Sequence, residues 1–260
     1  SVCVFWYPKV IQINKVNRML SRIILGSQSS SRRAMLLELG CKDMCIIPAK
    51  INELEVGLEY RNKYNTTPDR IEKLVLAIGT AKADRILDII RTGSATSDMA
   101  DHFVYSDHGS CTKVKCPLPS SGIILTGDQV VTCGGQIYEK PVDAAEAKQF
   151  YQDYSDGSCS TVGSVVLTDI ETKCSVSAVD ITTLHFNSIP EEVIDSIVSN
   201  NPPREENDVI MYCCGALMSE HTVLSAYIRQ IDGDIDAVLG LRKATVIDLL
   251  AKLETKIAAH

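Results

Sequence analysis

Four serines and two arginines crowd one short stretch of this chain, Gly26-Ser27-Gln28-Ser29-Ser30-Ser31-Arg32-Arg33. An apolar run, Ile23 to Leu25, precedes it, and Met35, Leu36 and Leu39 follow at helical spacing, with Gly40 where a helix stop is expected. The pattern predicts a buried strand, a turn and an amphipathic helix. At such a helix entrance, unpaired backbone N–H groups, serine hydroxyls and the positive end of the helix dipole converge, with arginine charges one turn further in. That chemistry suits an anion, phosphate foremost. An ordinary serine cap followed by a solvated arginine pair accounts for the same residues. The chain has neither G-x-x-x-x-G-K-[ST] nor a strand-to-helix G-x-G-x-x-G, so a phosphate site here is of another kind.

A second unusual residue is Lys82. Thr67-Pro68-Asp69 starts a helix, with a capping hydroxyl and proline at its first position, that runs to about Arg91. Its apolar stripe is Ile71, Leu74, Val75 and Ile78, and the next position on that stripe is Lys82, between Ala81 and Ala83. Either the stem packs while the ammonium reaches water, or the ammonium points into a cleft where small neighbours leave room for a ligand.

The remaining elements must position these groups. A short strand is expected at Cys45 to Pro48, followed by a charged loop to Thr66. Residues 92–121, rich in Ser, Thr, Asp, Gly and Pro without a clear period, read as a loop or flexible insertion. Its His102, His108, Cys111 and Cys116 match no standard zinc spacing. Strands follow at Ile123 to Thr126 and Val130 to Cys133, and Gly134-Gly135 turns a hairpin into Gln136 to Tyr138. Asp143 and Glu146 form a capping box for a helix that buries Ala147, Phe150, Tyr151 and Tyr154. Thr161 to Thr168 and Ser175 to Phe186 form a long antiparallel hairpin around Glu171, and Ser188 and Glu191 cap a helix to about Ser199. Asn200 to Asn207 reads as a loop, Val209 to Cys213 as strand-like, Gly215 to His221 as a loop over the site, and Ala226 to Ile231 as helix or strand. A terminal helix from Lys243 to Ala258 buries Val246, Ile247, Leu250, Leu253 and Ile257. Helices and strands alternating with hairpins predict an α/β protein with a mixed sheet.

At 260 residues and 45 % hydrophobic content the chain can build a sizeable core, chiefly aliphatic because aromatics are 5 %. A net charge of -7 argues against a general nucleic-acid binder or a binder of acidic membranes. No apolar run approaches membrane-spanning length. Ten cysteines without a C-x-x-C pair, and no signal-like segment, suggest free thiols in a reducing cytoplasm. The first residue, Ser1 instead of methionine, suggests a trimmed or partial chain.

In order along the chain, S-Q-S-S-S-R-R, A-K-I-N-E, L-A-I-G-T-A-K-A, T-G-D-Q-V-V, Y-E-K-P and C-C-G-A-L-M-S-E-H resemble the Maf family of nucleoside triphosphate pyrophosphatases, over about residues 22 to 250. The resemblance implies a long mixed sheet flanked by helices, in two lobes around a central nucleotide cleft, and a homodimer. Residues 1–21 then form an N-terminal extension and 22–260 a single domain. By the resemblance, Ser27 and Arg32 sit at the triphosphate, with Ser31 beside them. Glu53 and Asp128 hold a divalent metal, Mg²⁺ or Mn²⁺, Lys82 and Lys140 neutralise phosphate charge, and Asp128 is the general base. Hydrolysis between the α- and β-phosphates needs such a set: a carboxylate for the in-line water, and cations to offset the pyrophosphate leaving group.

Three positions depart from pyrimidine-specific members: Ser31 where arginine is typical, Gln129 where threonine is, and Glu220 where glutamine is. Gln129 and Glu220 resemble the branch that acts on 7-methyl-GTP. A carboxylate can accept from both N1–H and the exocyclic amine of a guanine, and it favours the positive charge of the methylated ring. The expected activity is therefore cleavage of a 7-methyl-GTP-like triphosphate to a monophosphate and pyrophosphate, a form of nucleotide-pool sanitation. Alternatives are a dTTP, UTP or CTP pyrophosphatase of the same family, or a nucleotide-binding regulator of cell division without turnover.

Overall fold

The long hairpin predicted around Glu171 is the spine of the protein. The computed structural model describes residues 16, 18–61, 67–93, 99–105, 111–199 and 210–260. Its elements are β1 (Ile23–Leu25), α1 (Ser30–Glu38), β2 (Asp43–Ile46), α2 (Pro68–Thr92), β3 (Met99–Tyr105), β4 (Cys111–Pro117), β5 (Ile123–Thr126), β6 (Gln129–Cys133) and β7 (Gln136–Tyr138). There follow α3 (Ala144–Tyr154), β8 (Ser158–Asp169), β9 (Ser175–Phe186), α4 (Glu191–Ser199), β10 (Ile228–Asp232), α5 (Ile235–Val238) and α6 (Lys243–Ala258). The strands form one mixed sheet in the order β10-β9-β8-β5-β1-β2-β3-β4, with β6 also on β8 and β7 on β6. Among the described strands the only parallel pairings are those of β1 with β2 and with β5.

β8 and β9 pair from Ser158↔His185 to Thr168↔Ser175, a hairpin long enough to run through both halves of the molecule. On the opposite edge of β8 lie first β6 and then β5, in a single unbroken register: Gln129↔Gly163 continues into Thr126↔Val166. The far edge of that composite strand changes partner, from β1 beside β5 to β7 beside β6. Gly127 and Asp128 occupy the change-over, where the far edge has no strand. Space enforces glycine at 127, since a Cβ there would lie 2.1 Å from the Ser164 carbonyl oxygen.

Two sets of core residues correspond to the two predicted lobes. Around β1 and β5, Leu25, Leu36, Met44, Leu125, Leu167, Leu249, Leu250 and Leu253 pack on one face, and Ile24, Ile47, Ile86, Ile124 and Val166 on the other. Around β6 and β7, α3 contributes an aromatic cluster, with Tyr138 stacked on Phe150 at 4.4 Å and Tyr154 on Phe186 at 5.7 Å. The predicted Asp143 cap on α3 is present, with the returning bond one residue early: Asp143 Oδ1 accepts from Glu146 N at 2.8 Å, and Glu146 Oε2 accepts from Val142 N at 2.7 Å. None of the described helices is long and apolar enough to cross a membrane. No disulfide links the nine described cysteines.

Several expectations are corrected. The stretch 92–121 is not wholly loop: β3 and β4 form an antiparallel hairpin that extends the sheet beyond β2. Its polar residues misled because β4 is an edge strand whose side chains are mostly exposed. His102 Nε2 bonds the Asp43 carboxylate, His108 lies outside the described residues, and no cluster of three or more potential metal ligands occurs among those described. Ile210–Tyr212 is a 3-10 turn where a strand was expected, and Val209 and the loop 200–207 lie outside the described residues. The alternative at 226–231 resolves into a 3-10 turn, Leu224–Tyr227, running into β10. Thr67 stands at the start of α2 without a capping side-chain bond, and Ile247 is 41 % exposed.

Part of the extension assigned to residues 1–21 is among the described residues. Residues 1–15 and 17 lie outside the described residues, but Val16 and Leu20 are helical and buried in the core beside Leu36 and Leu253. Leu20→Ala is therefore expected to destabilise the protein by about 2–5 kcal/mol, the cost of a buried leucine cavity. Urea unfolding checks this; an unchanged midpoint would place Leu20 outside the core.

Candidate functional site

The site forms at the change-over between β5 and β6. The Gly127 carbonyl has no strand partner on that side, and two cations take it instead: Arg32 Nη1 donates at 3.0 Å and Lys82 Nζ at 3.4 Å. Arg32 comes from α1, whose first turn is capped by Ser29 Oγ accepting from Arg32 N at 3.3 Å. Its Nη1 also reaches Ser27 Oγ at 3.5 Å, and its Nε donates to Gly240 O at 3.0 Å. Two glycines make this close approach possible. A Cβ at Gly26 would meet Thr126 Cγ2 at 2.5 Å, and one at Gly79 would meet Ser164 Oγ at 2.8 Å.

Lys82 does not snorkel. It is 8 % exposed, and its ammonium bonds Glu53 Oε1 at 2.8 Å and Asp128 Oδ1 at 2.9 Å. One buried cation thus gathers two carboxylates, and their surroundings separate them. Burial pushes the Asp128 carboxyl above its ordinary value, against the pull of Lys82. Burial acts upward on the half-exposed Glu53 too, but Lys82, Lys140 and Arg32 together hold it below its ordinary value. Glu53 is therefore the charged member, and Asp128 is the one disposed to hold a proton.

Asp128 is held by its backbone as well. Its N–H donates to Ser164 Oγ at 3.0 Å, its carbonyl accepts from Ser164 N at 2.8 Å, and Ser164 Oγ donates to Val75 O of α2 at 2.6 Å. Ser164 thereby ties the aspartate to the helix that carries Lys82. Composition and motifs gave no hint of this serine; only the register of β6 on β8 exposes it.

The second lobe supplies the other wall. Lys140 follows β7; its charge acts on Glu53 and Cys214, and it has no ion pair among the described residues. Arg61, which sequence reasoning missed, bridges the two acidic segments: Nη1 bonds Glu139 Oε1 at 2.5 Å and Nη2 donates to Glu53 O at 2.9 Å. Gly215 N donates to Glu139 O at 2.8 Å, Tyr154 OH donates to Gly215 O at 2.8 Å, and Cys214 Sγ donates to Gln129 O at 2.9 Å. The segment from Gly215 is thus anchored to this wall.

The predicted residues do not all converge. Ser27 and Arg32 are in contact, Lys82 bonds both Glu53 and Asp128, and the Gly127 carbonyl joins the two groups. The Gln129 side chain turns to Ala237 O and Val238 O, both at 3.0 Å. Ser31 is half-buried in the first turn of α1, with no side-chain bond among the described residues. Glu220 is exposed and accepts from Ser219 Oγ at 3.2 Å. Arg33 turns away to lie over the Phe103 ring at 4.6 Å, so one arginine of the pair, not both, faces the site.

A family model described as Maf-like protein matches residues 22–253. This chain belongs to the Maf-like protein family. Among its relatives, a 7-methyl-GTP pyrophosphatase of Dictyostelium discoideum is 28 % identical over 231 residues, 89 % of this chain and 96 % of that protein. A dTTP/UTP pyrophosphatase of Acholeplasma laidlawii is 26 % identical over 229 residues, covering 88 % and 94 %. A nucleoside triphosphate pyrophosphatase of Salinispora tropica is 22 % identical over 236 residues, covering 91 % and 85 %. Maf-like pyrophosphatases are in general metal-dependent. The residues here fit a hard divalent cation as a two-carboxylate site: Glu53 and Asp128 each keep a second oxygen, and substrate phosphates would complete the shell.

Replacing Lys82 by methionine leaves two carboxylates without their cation. In metal-free buffer this is expected to cost about 3–5 kcal/mol at pH 7. Asp128 would then titrate still further above its ordinary value, so the penalty is present at neutral pH and fades as pH falls through that raised value towards the ordinary carboxylate range. Urea unfolding at pH 7 and pH 4.5 tests this. A penalty independent of pH would mean that Lys82 contributes packing alone.

Proposed function

We propose that this protein hydrolyses a 7-methyl-GTP-like nucleoside triphosphate to the monophosphate and pyrophosphate, as a member of the Maf-like pyrophosphatases. The observation that carries the chemistry is the Lys82 ammonium, buried between Asp128 and Glu53 beside an arginine fixed on the same carbonyl. Arg32, Ser27 and the N-terminus of α1 receive the triphosphate, with Lys140 on the facing wall. Asp128 orients a water in line with the α-phosphorus and takes its proton as the new P–O bond forms. The bond from the α-phosphorus to the bridging oxygen breaks, and pyrophosphate leaves with its charge offset by Lys82 and Lys140. A raised carboxyl suits that role, because a base nearer to neutral pH holds the transferred proton better. Mg²⁺ or Mn²⁺ held by Glu53 and Asp128 would supply further charge neutralisation at the phosphate oxygens.

Base choice rests on Glu220 and on the Dictyostelium relative. The exposed carboxylate is open to donors from a guanine edge, and its charge favours a methylated, cationic ring. The proposal includes a cytoplasmic homodimer acting without nucleic-acid or membrane partners, in keeping with the net charge of -7.

Pyrophosphate release, measured with Mg²⁺ and Mn²⁺ on 7-methyl-GTP, GTP, ITP, UTP, CTP and dTTP, tests the reading. The expected result is a preference for 7-methyl-GTP, a rate about 10²–10⁴ lower in Asp128→Asn, and a higher metal requirement in Glu53→Gln. Preference for UTP or dTTP would keep the chemistry and overturn the base assignment. Absence of turnover on every substrate would favour the regulator.

A further inference from the structure

Arg61 touches both walls of the cleft. Its Nη1 bonds Glu139 Oε1 at 2.5 Å and its Nη2 donates to Glu53 O at 2.9 Å, and a bond between opposite charges belongs to the stronger class of hydrogen bond. Among the described residues no other hydrogen bond or ion pair joins the loop 50–61 to the segment 138–142.

The guanidinium is held from behind. Arg61 closes the 3-10 turn Leu58–Tyr60, its N–H donating to Leu58 O at 3.1 Å. That turn is seated on α2, the helix that carries Lys82: Gly57 enters it with a left-handed φ of +69°, a Cβ at Gly57 would lie 3.0 Å from Leu74 Cδ1, and Arg70 bonds Glu59 O. The Arg61 side chain is 15 % exposed, and its Nε is buried with no hydrogen-bond partner among the described residues. An unmade bond at a buried donor is costly, so the two bonds to Glu53 and Glu139 fix the guanidinium where it lies in spite of that cost.

Each partner adjoins a group of the site. Glu53 carries the carboxylate bonded to Lys82. Glu139 directly precedes Lys140, and its carbonyl accepts from Gly215 N at 2.8 Å, so it also holds the segment that starts at Gly215.

We propose that Arg61 is a positioning residue, a clasp that holds the wall of Glu53 and the wall of Lys140 at one separation. This inference rests on the proposed pyrophosphatase activity for its kinetic consequence, while the separation of the walls is independent of turnover.

The test compares Arg61→Met, Glu139→Gln and the double variant with the unsubstituted protein. Nitroxides on keto amino acids at the exposed positions 54 and 142, which leave the native thiols unlabelled, report the wall separation by pulsed EPR without substrate or metal. The distance distribution should broaden towards longer separations in every variant. With 7-methyl-GTP, GTP or UTP, the Mg²⁺ concentration for half-maximal rate should rise and kcat should fall, each about 10- to 100-fold in Arg61→Met. The double variant should be no worse than Arg61→Met, since both changes open one clasp. Should Arg61→Met not fold, Glu139→Gln, at the more exposed partner, carries the measurement. An unchanged wall separation would overturn the proposal whatever the kinetics. A raised KM with an unchanged Mg²⁺ requirement would overturn it too, and make Arg61 a phosphate ligand. Should the unsubstituted protein hydrolyse none of these triphosphates, the functional reading fails, and the wall separation alone decides whether Arg61 is the clasp.

Discussion

A buried ammonium is the constraint on which the rest of this structure depends. Lys82 lies on the apolar stripe of α2, and an uncompensated charge there would cost more than a small domain can tolerate. Its partners come from far along the chain, Glu53 from the loop before α2 and Asp128 from the strand that crosses beneath it. Satisfying the lysine therefore draws three separate segments to one point. Unequal burial leaves the two carboxylates different, with Glu53 held charged by the cations around it and Asp128 pushed by burial towards its protonated form.

The sheet supplies the place for this cluster. Where the composite strand β5–β6 exchanges β1 for β7, its edge opens for two residues, and an unpaired carbonyl there must find donors. Arg32 and Lys82 are those donors, and the proposed phosphate chemistry draws on the same two residues. The change-over also separates the aliphatic core from the aromatic one. Groups from both lobes therefore face each other across Asp128, the arrangement in which open α/β sheets place their ligands.

Much of this was legible in the sequence, for physical reasons. Lys82 stood out because a lysine breaks an otherwise apolar helical stripe, and the serine-rich helix entrance stood out because hydroxyls and arginines cluster where N–H groups are free. Capping and hairpin signals placed α3 and β6–β7 correctly, since those are local. What depended on partners distant in sequence was not legible. Ser164 looks like any strand serine until β8 lies beside Asp128, and Arg61 looks like a loop charge until it bridges Glu53 and Glu139. The strand β4 was hidden because an edge strand needs no apolar alternation, and its hairpin partner β3 was missed with it. Gln129 was assigned to the substrate from the resemblance, and its bonds to the end of α5 could not be read from the sequence.

The most direct test of the account is a double-mutant cycle on kcat/KM for pyrophosphate release with Lys82→Met, Asp128→Asn and the pair. If the buried lysine works by holding the base, the double variant should be no slower than the slower single one, because the two groups act as a unit. Fully additive losses would contradict the account, since they would mean that Lys82 and Asp128 contribute independently.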